Sequence, residues 1–222
     1  MISPSSIMKA IGSDGRARLV PFFKCVCVYF AAGGGASVTG AALKVAPVLC
    51  LLLCVLLRAC APTTTRHQRR YAWLISAGLA LSAAGDALLV WPHRLEGGMA
   101  AFAGAHICYM TAFGLRPTAP LSALIMLLGA ALYVHVVAPP AHLAIPVTCY
   151  ALLLGGMAWR GSAKAGPQRL GSLLFVLSDA MLGYTLFSGT LPHQQLLVMS
   201  TYYVAQLCIS LSALELPREP LH

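Results

Sequence analysis

Long runs of apolar residues alternate with short polar segments along most of the 222-residue chain. A helix of about 20 apolar residues is long enough to cross a bilayer. Backbone groups in lipid must find hydrogen-bond partners within their own segment, so each run is predicted to be a transmembrane α-helix. The short connections make sequence neighbours antiparallel. The eight predicted helices cover residues 19–36, 41–60, 72–91, 98–115, 118–138, 141–159, 169–188 and 194–214.

These helices predict an all-α integral membrane protein with eight transmembrane helices in one bundle. The prediction divides the chain into a cytoplasmic tail over residues 1–18, a transmembrane domain over 19–215 and a second cytoplasmic tail over 216–222. Similar short segments around Asp86 and Asp179, and around Cys108 and Cys208, favour an internal repeat of two four-helix halves. Chance similarity between membrane sequences of limited alphabet is the alternative interpretation.

The composition supports the membrane assignment and excludes several other classes. Hydrophobic residues make up 59% of the chain and charged residues only 9%, whereas soluble domains carry about 25% charged residues. A water-soluble globule and a disordered chain are therefore excluded. The eight cysteines form no CxxC pair and lie mostly in apolar runs, so they are interpreted as core residues. No metal site and no cofactor is predicted.

The net charge of +9 is explained by topology. If the N-terminus is cytoplasmic, 13 of the 15 basic residues fall on the cytoplasmic side, and only Lys44 and Arg94 fall on the other. Basic residues concentrate on the cytoplasmic side of membrane proteins. The distribution therefore predicts that both termini are cytoplasmic. The basic residues are expected to meet anionic lipid headgroups, and no nucleic-acid partner is predicted.

The acidic residues point to a functional site within the membrane. Only six are present, and Asp86 and Asp179 alone lie deep within apolar runs. Each charged side chain at the bilayer centre costs about 2.5–3.5 kcal/mol on insertion scales. A structural polar contact between helices is the alternative, but two such residues in one small protein favour a function.

Further polar side chains lie in the same predicted helices or at a similar depth. Ser82 is one helical turn before Asp86 and so shares its face. A hydrogen bond between helices is the alternative interpretation for each of them. The candidate binding or supporting residues are Ser82, His106, Tyr109, Ser178, Tyr202, Tyr203 and Gln206.

The segments that carry these residues resemble the lysoplasmalogenase family of YhhN-like, transmembrane-protein-86-type membrane hydrolases. The resemblance extends over about residues 19–215 and rests on four motifs that occur in order. The motifs are Ser82-x-x-Gly85-Asp86, Phe102-x-x-x-His106-x-x-Tyr109, Leu174-Phe175-x-x-Ser178-Asp179 and Ser200-Thr201-Tyr202-Tyr203-x-Ala205-Gln206.

The resemblance implies that the chain hydrolyses the vinyl ether bond of lysoplasmalogens in the endoplasmic reticulum membrane. The products would be a fatty aldehyde and glycerophosphocholine or glycerophosphoethanolamine. It also implies that Asp86 and Asp179 are the catalytic residues of the domain over 19–215. The expected partners are the lipid substrate, water and the bilayer, and self-association into a homo-oligomer is left open.

The chemistry of a vinyl ether fits two carboxyl groups. Cleavage begins when an acid protonates the β-carbon, and water then adds to the resulting oxocarbenium ion. One aspartate must therefore hold a proton while the other is ionised, a division of roles also found in glycoside hydrolysis. The sequence does not assign the two roles. As a further hypothesis, His106 and Tyr203 orient the pair or bind the headgroup.

Two other functions use buried carboxyl groups. A proton-coupled transporter would place Asp86 and Asp179 on an ion pathway, but no central proline interrupts the helix of Asp179. An intramembrane aspartyl protease would also use two aspartates. Ala83 stands where the first glycine of its Gly-x-Gly-Asp motif is required, which disfavours this class.

Overall fold

A computed structural model describes residues 16–215 of the chain, with side chains from Leu19 onward. Eight α-helices and no strand are found in this range, as the apolar pattern predicts. A single turn of 3₁₀ helix over Pro92–Arg94 precedes the fourth helix. The helices are α1 (Arg16–Ala32), α2 (Val38–Ala59), α3 (Arg66–Leu88), α4 (Leu95–Phe113), α5 (Pro120–Val137), α6 (Ala141–Ser162), α7 (Pro167–Phe187) and α8 (Gln194–Leu214).

Six of these helices are long and apolar enough to cross a membrane, namely α2, α3, α5, α6, α7 and α8. The chain is thus an integral membrane protein. The apolar part of α1 is shorter and covers Leu19–Ala32. Helix α4 includes Glu96 and His106, which lower its mean hydropathy. Membrane crossing by α1 and α4 stays a prediction.

The ends of the helices follow local capping chemistry. Helix α3 begins six residues before the predicted span because Thr65 and Gln68 form a capping box. The Gln68 backbone N–H donates to Thr65 Oγ1 at 3.3 Å, and the Thr65 N–H donates to Gln68 Oε1 at 3.1 Å. Helix α1 ends where Gly33 adopts a φ of +62°, which glycine tolerates best. Predicted tail residues 16–18 belong to α1, and the rest of both tails lies outside the described residues.

The helices pack in a pattern that relates the first four to the last four. Consecutive helices pack together within each half. Between the halves, α4 packs against α6, α2 packs against α8, and α3 makes a smaller contact with α8. The second helix of each half therefore meets the fourth helix of the other, as in a two-fold arrangement. The internal repeat itself remains a prediction from sequence.

Two contrasting surfaces matter for the site. Helix α3 packs closely on α4, because a Cβ atom built on Gly85 would lie only 2.6 Å from Phe102 Cδ2. Helix α5 is instead mostly exposed, with only 6% of its residues buried inside the protein. In a bilayer this exposed face contacts lipid. Its large exposed apolar side chains are Leu121, Leu124, Ile125, Leu127, Leu128, Leu132 and Val136.

Candidate active site

Helices α3 and α7 bring Asp86 and Asp179 to the wall of one cavity of about 340 Å³. Apolar side chains form most of the remaining wall. Every helix from α2 to α8 contributes at least one residue, and that of α2 is Lys44. Asp86 is buried, and 11% of the Asp179 side chain is exposed. The two intramembrane acids singled out by the sequence therefore face a shared, largely apolar space.

Asp86 lies in the last turn of α3 and has a partner at each carboxyl oxygen. Lys44 Nζ on α2 is 3.6 Å from Asp86 Oδ1. The Tyr202 hydroxyl on α8 donates a hydrogen bond of 2.6 Å to Asp86 Oδ2. One cation and one phenol from two different helices thus hold this carboxyl group.

The hydroxyl of Tyr202 is the end of a longer chain of buried hydrogen bonds. Gln206 Nε2 donates to Tyr202 Oη at 3.1 Å, and the Tyr109 hydroxyl donates to Gln206 Oε1 at 2.9 Å. Ser82 Oγ lies 3.4 Å from Tyr109 Oη. Since the Tyr109 proton is directed to Gln206, Ser82 donates this weaker contact. Every hydrogen bond in this series is donated in the direction of Asp86.

Asp179 has a different set of partners. The Tyr150 hydroxyl on α6 donates to Asp179 Oδ2. His106 Nε2 on α4 lies 3.1 Å from Tyr150 Oη and 3.7 Å from Asp179 Oδ2. His106 is fully buried, and its Nδ1 atom has no hydrogen-bond partner among the described residues. Asp179 is therefore contacted by a phenol and an imidazole, whereas Asp86 is contacted by a phenol and an ammonium group.

Two of the predicted site residues hold helices together instead of contacting a carboxyl group. The Tyr203 hydroxyl donates to the backbone oxygen of Lys44 at 2.8 Å, which fixes α8 against α2. Ser178 Oγ donates to the backbone oxygen of Val198 at 3.1 Å, which fixes α7 against α8. Ser178 also lies on the cavity wall. Tyr203 thus reaches Asp86 only through the backbone that carries Lys44.

Sequence reasoning missed Lys44 and Tyr150. Lys44 falls inside the predicted span 41–60, and a lysine within an apolar run seeks an acidic partner. The distribution of basic residues along the chain indicates only that Lys44 is a charge on the non-cytoplasmic side. Tyr150 gave no comparable signal, since it is one of eight tyrosines and lies in an ordinary apolar run.

Across residues 16–215, no group of three or more His, Cys, Asp or Glu side chains is placed to hold a metal ion. The contacts of Asp86 and Asp179 are instead with Lys, Tyr and His side chains.

The fold and site define an all-helical membrane protein with an intramembrane aspartate pair. Residues 39–213 match the YhhN family, and the chain belongs to that family. Its relatives include human lysoplasmalogenase TMEM86B, 41% identical over 206 residues that cover 90% of this chain and 87% of the relative. The pig protein of the same name is 42% identical, with coverage of 90% and 88%. Human lysoplasmalogenase TMEM86A is 34% identical, with coverage of 100% and 96%. No solved structure matches the chain.

Proposed function

We propose that this chain is a lysoplasmalogenase that hydrolyses the vinyl ether bond of 1-alkenyl lysophospholipids. The products are a fatty aldehyde and glycerophosphocholine or glycerophosphoethanolamine. The observation that carries the proposal is the aspartate pair on one apolar cavity, in a chain similar along nearly its whole length to proteins named lysoplasmalogenase. The relatives named above give no support to a transporter.

The cavity suits an amphipathic substrate. The alkenyl chain would lie along apolar wall residues such as Met126, Leu154 and Val176, while the vinyl ether would lie beside Asp86 and Asp179. Transfer of the chain between lipid and this wall requires little change in its environment, because both are apolar. Asp86 and Asp179 are the proposed catalytic residues. The supporting residues are Ser82, His106, Tyr109, Tyr150, Ser178, Tyr202, Tyr203 and Gln206.

The proposal includes the membrane topology. All eight helices span the bilayer, and both termini are cytoplasmic, in keeping with the distribution of basic residues along the chain. The membrane is proposed to be that of the endoplasmic reticulum. Antibody access to tags at both termini in selectively permeabilised cells tests the orientation. Protection of either tag from cytoplasmic antibody would contradict it.

The activity is tested with purified protein in detergent and a 1-alkenyl lysophospholipid as the sole substrate. Asp86→Asn and Asp179→Asn are isosteric and remove one carboxyl group each. We expect aldehyde release by the wild-type protein and a loss of at least about a hundredfold in each variant, the scale of a positioned acid or base. Glu96→Gln is the matched control, since Glu96 is exposed at the start of α4, and it should retain full activity.

Two results would count against the proposal in different ways. No aldehyde release by folded wild-type protein would contradict the lysoplasmalogenase activity itself. Release that is unchanged in both aspartate variants would contradict the two-aspartate mechanism. Monodisperse elution on size-exclusion chromatography serves as the folding criterion for every variant.

A further inference from the structure

We propose that the two aspartates have fixed and different roles, which Lys44 determines. Asp86 is ionised before the reaction begins, and Asp179 holds the proton that is delivered to the β-carbon of the vinyl ether. Lys44 is a positioning residue that acts through Asp86. This assignment rests on the proposed function for its chemistry, but the charge states themselves follow from the contacts around each carboxyl group.

Asp86 has the surroundings of an ionised group. Lys44 Nζ approaches Oδ1, and the Tyr202 hydroxyl donates to Oδ2, so donors occupy both oxygens. A buried charge is tolerated only when it is paired and hydrogen-bonded. The donor chain through Gln206 and Tyr109 points to the same oxygen and stabilises negative charge on Asp86.

Asp179 lacks such compensation. Both of its contacts, with Tyr150 and with His106, are made through Oδ2. Tyr133, on the neighbouring helix α5, donates its hydroxyl to the backbone oxygen of Ala180 instead of to the carboxyl group. The other oxygen, Oδ1, is therefore available to carry a proton on a side chain that is 11% exposed.

His106 does not supply the missing positive charge. An imidazolium ion donates from both ring nitrogens, and His106 Nδ1 is buried without an acceptor in the described part of the chain. A neutral ring with its hydrogen on Nε2 leaves no buried N–H unpaired. It donates to Tyr150 Oη, whose own proton goes to Asp179 Oδ2. The contacts of Asp179 are thus neutral.

The charges along the cavity lead to the same assignment. Its described lining contains two aspartates and one cation, Lys44. If both aspartates were ionised, one negative charge would stand uncompensated in a mostly apolar space, which is costly. Lys44 contacts Asp86, so the aspartate that stays protonated is Asp179.

The reaction then balances with both groups restored. The Asp179 proton moves to the β-carbon as the C=C π electrons form the new C–H bond, and this leaves an oxocarbenium ion and an Asp179 carboxylate. Water adds to the cationic carbon and gives its proton to Asp86. Asp86 returns this proton to the departing glycerol oxygen as the C–O bond breaks. Asp179 takes the hemiacetal hydroxyl proton, and the aldehyde is released.

Infrared difference spectroscopy at neutral pH tests the assignment without any turnover. A protonated carboxyl group has a C=O stretching band that a carboxylate lacks. We expect this band to be lost in Asp179→Asn. It should persist in the double variant Lys44→Met/Asp86→Asn, which removes the ion pair together and leaves no charge unpaired. Persistence of the band in Asp179→Asn, or its loss in the double variant, would overturn the proposal.

Lys44 is tested by two single variants in the same measurement. Lys44→Met removes the counter-charge of Asp86, so a second protonated-carboxyl band should appear. Lys44→Arg keeps the charge and should show the wild-type spectrum. A spectrum of Lys44→Met without the new band would overturn the role of Lys44. Since no substrate is present, these results stand apart from aldehyde release, and failure of one proposal is distinguishable from failure of the other.

Discussion

His106 lies fully buried between two aromatic rings, and within residues 16–215 only its Nε2 atom has a hydrogen-bond partner. Its ring centroid is 5.2 Å from that of Tyr150 and 5.0 Å from that of Phe175, both in edge-to-face geometry. This packing fixes the ring so that Nε2 points to Tyr150 Oη. The structural task of His106 is therefore to present one N–H at a defined point.

A pair of amide substitutions can separate the two ring positions. Gln at position 106 carries an amide N–H near the place of Nε2, whereas Asn reaches only the place of Nδ1. We expect His106→Gln to retain more aldehyde release than His106→Asn, by about fivefold, because a hydrogen bond of this kind contributes about 1 kcal/mol. The kcat of each purified variant is the measurement. Equal loss in both variants would contradict the role of the Nε2 hydrogen.

At the residue scale, the sequence identifies acids better than it identifies their partners. Asp86 and Asp179 stand out because a carboxyl group in an apolar run raises the free energy of membrane insertion. Ionisable residues that are kept in spite of this cost are typical of functional sites. The partners are harder to find because a tyrosine such as Tyr150 is stable in many membrane environments. Counting charges assigns Lys44 only to the non-cytoplasmic side, whereas the packing of α2 on α3 decides which way its side chain turns.

Helix α3 carries Asp86 next to a close contact with helix α4. Gly85 faces the ring of Phe102 on α4. Phe102 in turn packs edge-to-face against Phe175 and Tyr202, with centroids 6.2 and 6.0 Å away. The absence of a side chain at position 85 thus lets α3 approach the aromatic cluster that borders the site.

The substitution Gly85→Ala should disturb this contact. Its Cβ atom would lie 2.6 Å from Phe102 Cδ2, so either the ring or α3 must shift. We expect a loss of about 1–3 kcal/mol in stability, typical of overpacking, together with a fall in activity. The Tm in detergent is the measurement. Gly97→Ala is the control, because its Cβ atom would lie 3.6 Å from Leu88 Cδ1 in ordinary contact; an equal fall in Tm would contradict the prediction.

At the element scale, the apolar pattern predicts which segments are helices but not where they end. The predicted span does not include the basic start of α3, because Arg66, Arg69 and Arg70 are not apolar. The capping box at Thr65 and Gln68 nevertheless begins the helix there. Helix ends depend on a few hydrogen bonds, whereas the helix interior depends on many apolar residues.

At the scale of the whole molecule, the cavity lies beside the most lipid-exposed helix. On helix α5, the cavity is lined by Met126, Gly129 and Ala130, while Leu128 on the same helix is 60% exposed. A single helix thus separates the site from surrounding lipid. A Cβ atom at Gly129 would meet no atom within 4 Å, so this position has room for a larger side chain.

Filling this space should discriminate between substrates by chain length. Gly129→Phe would displace about two or three methylene groups of a long alkenyl chain, at about 0.8 kcal/mol each. We therefore expect kcat/KM for long-chain substrates to fall about thirtyfold, with a smaller effect on short chains. Leu128→Phe, on the lipid-facing side, is the matched control and should leave the chain-length profile unchanged. A uniform loss across all chain lengths in Gly129→Phe would contradict this use of the cavity.

The cross-packing of the two halves has a consequence for how such a site can arise. Asp86 takes partners from α2 of its own half and α8 of the other, and Asp179 takes them from α6 of its own half and α4 of the other. A symmetric dimer of four-helix chains would have to place identical side chains at both positions. Joining the halves in one chain removes that constraint. A lysine can then evolve beside one carboxyl group and a histidine near the other, so two positions that are equivalent in the packing acquire different surroundings.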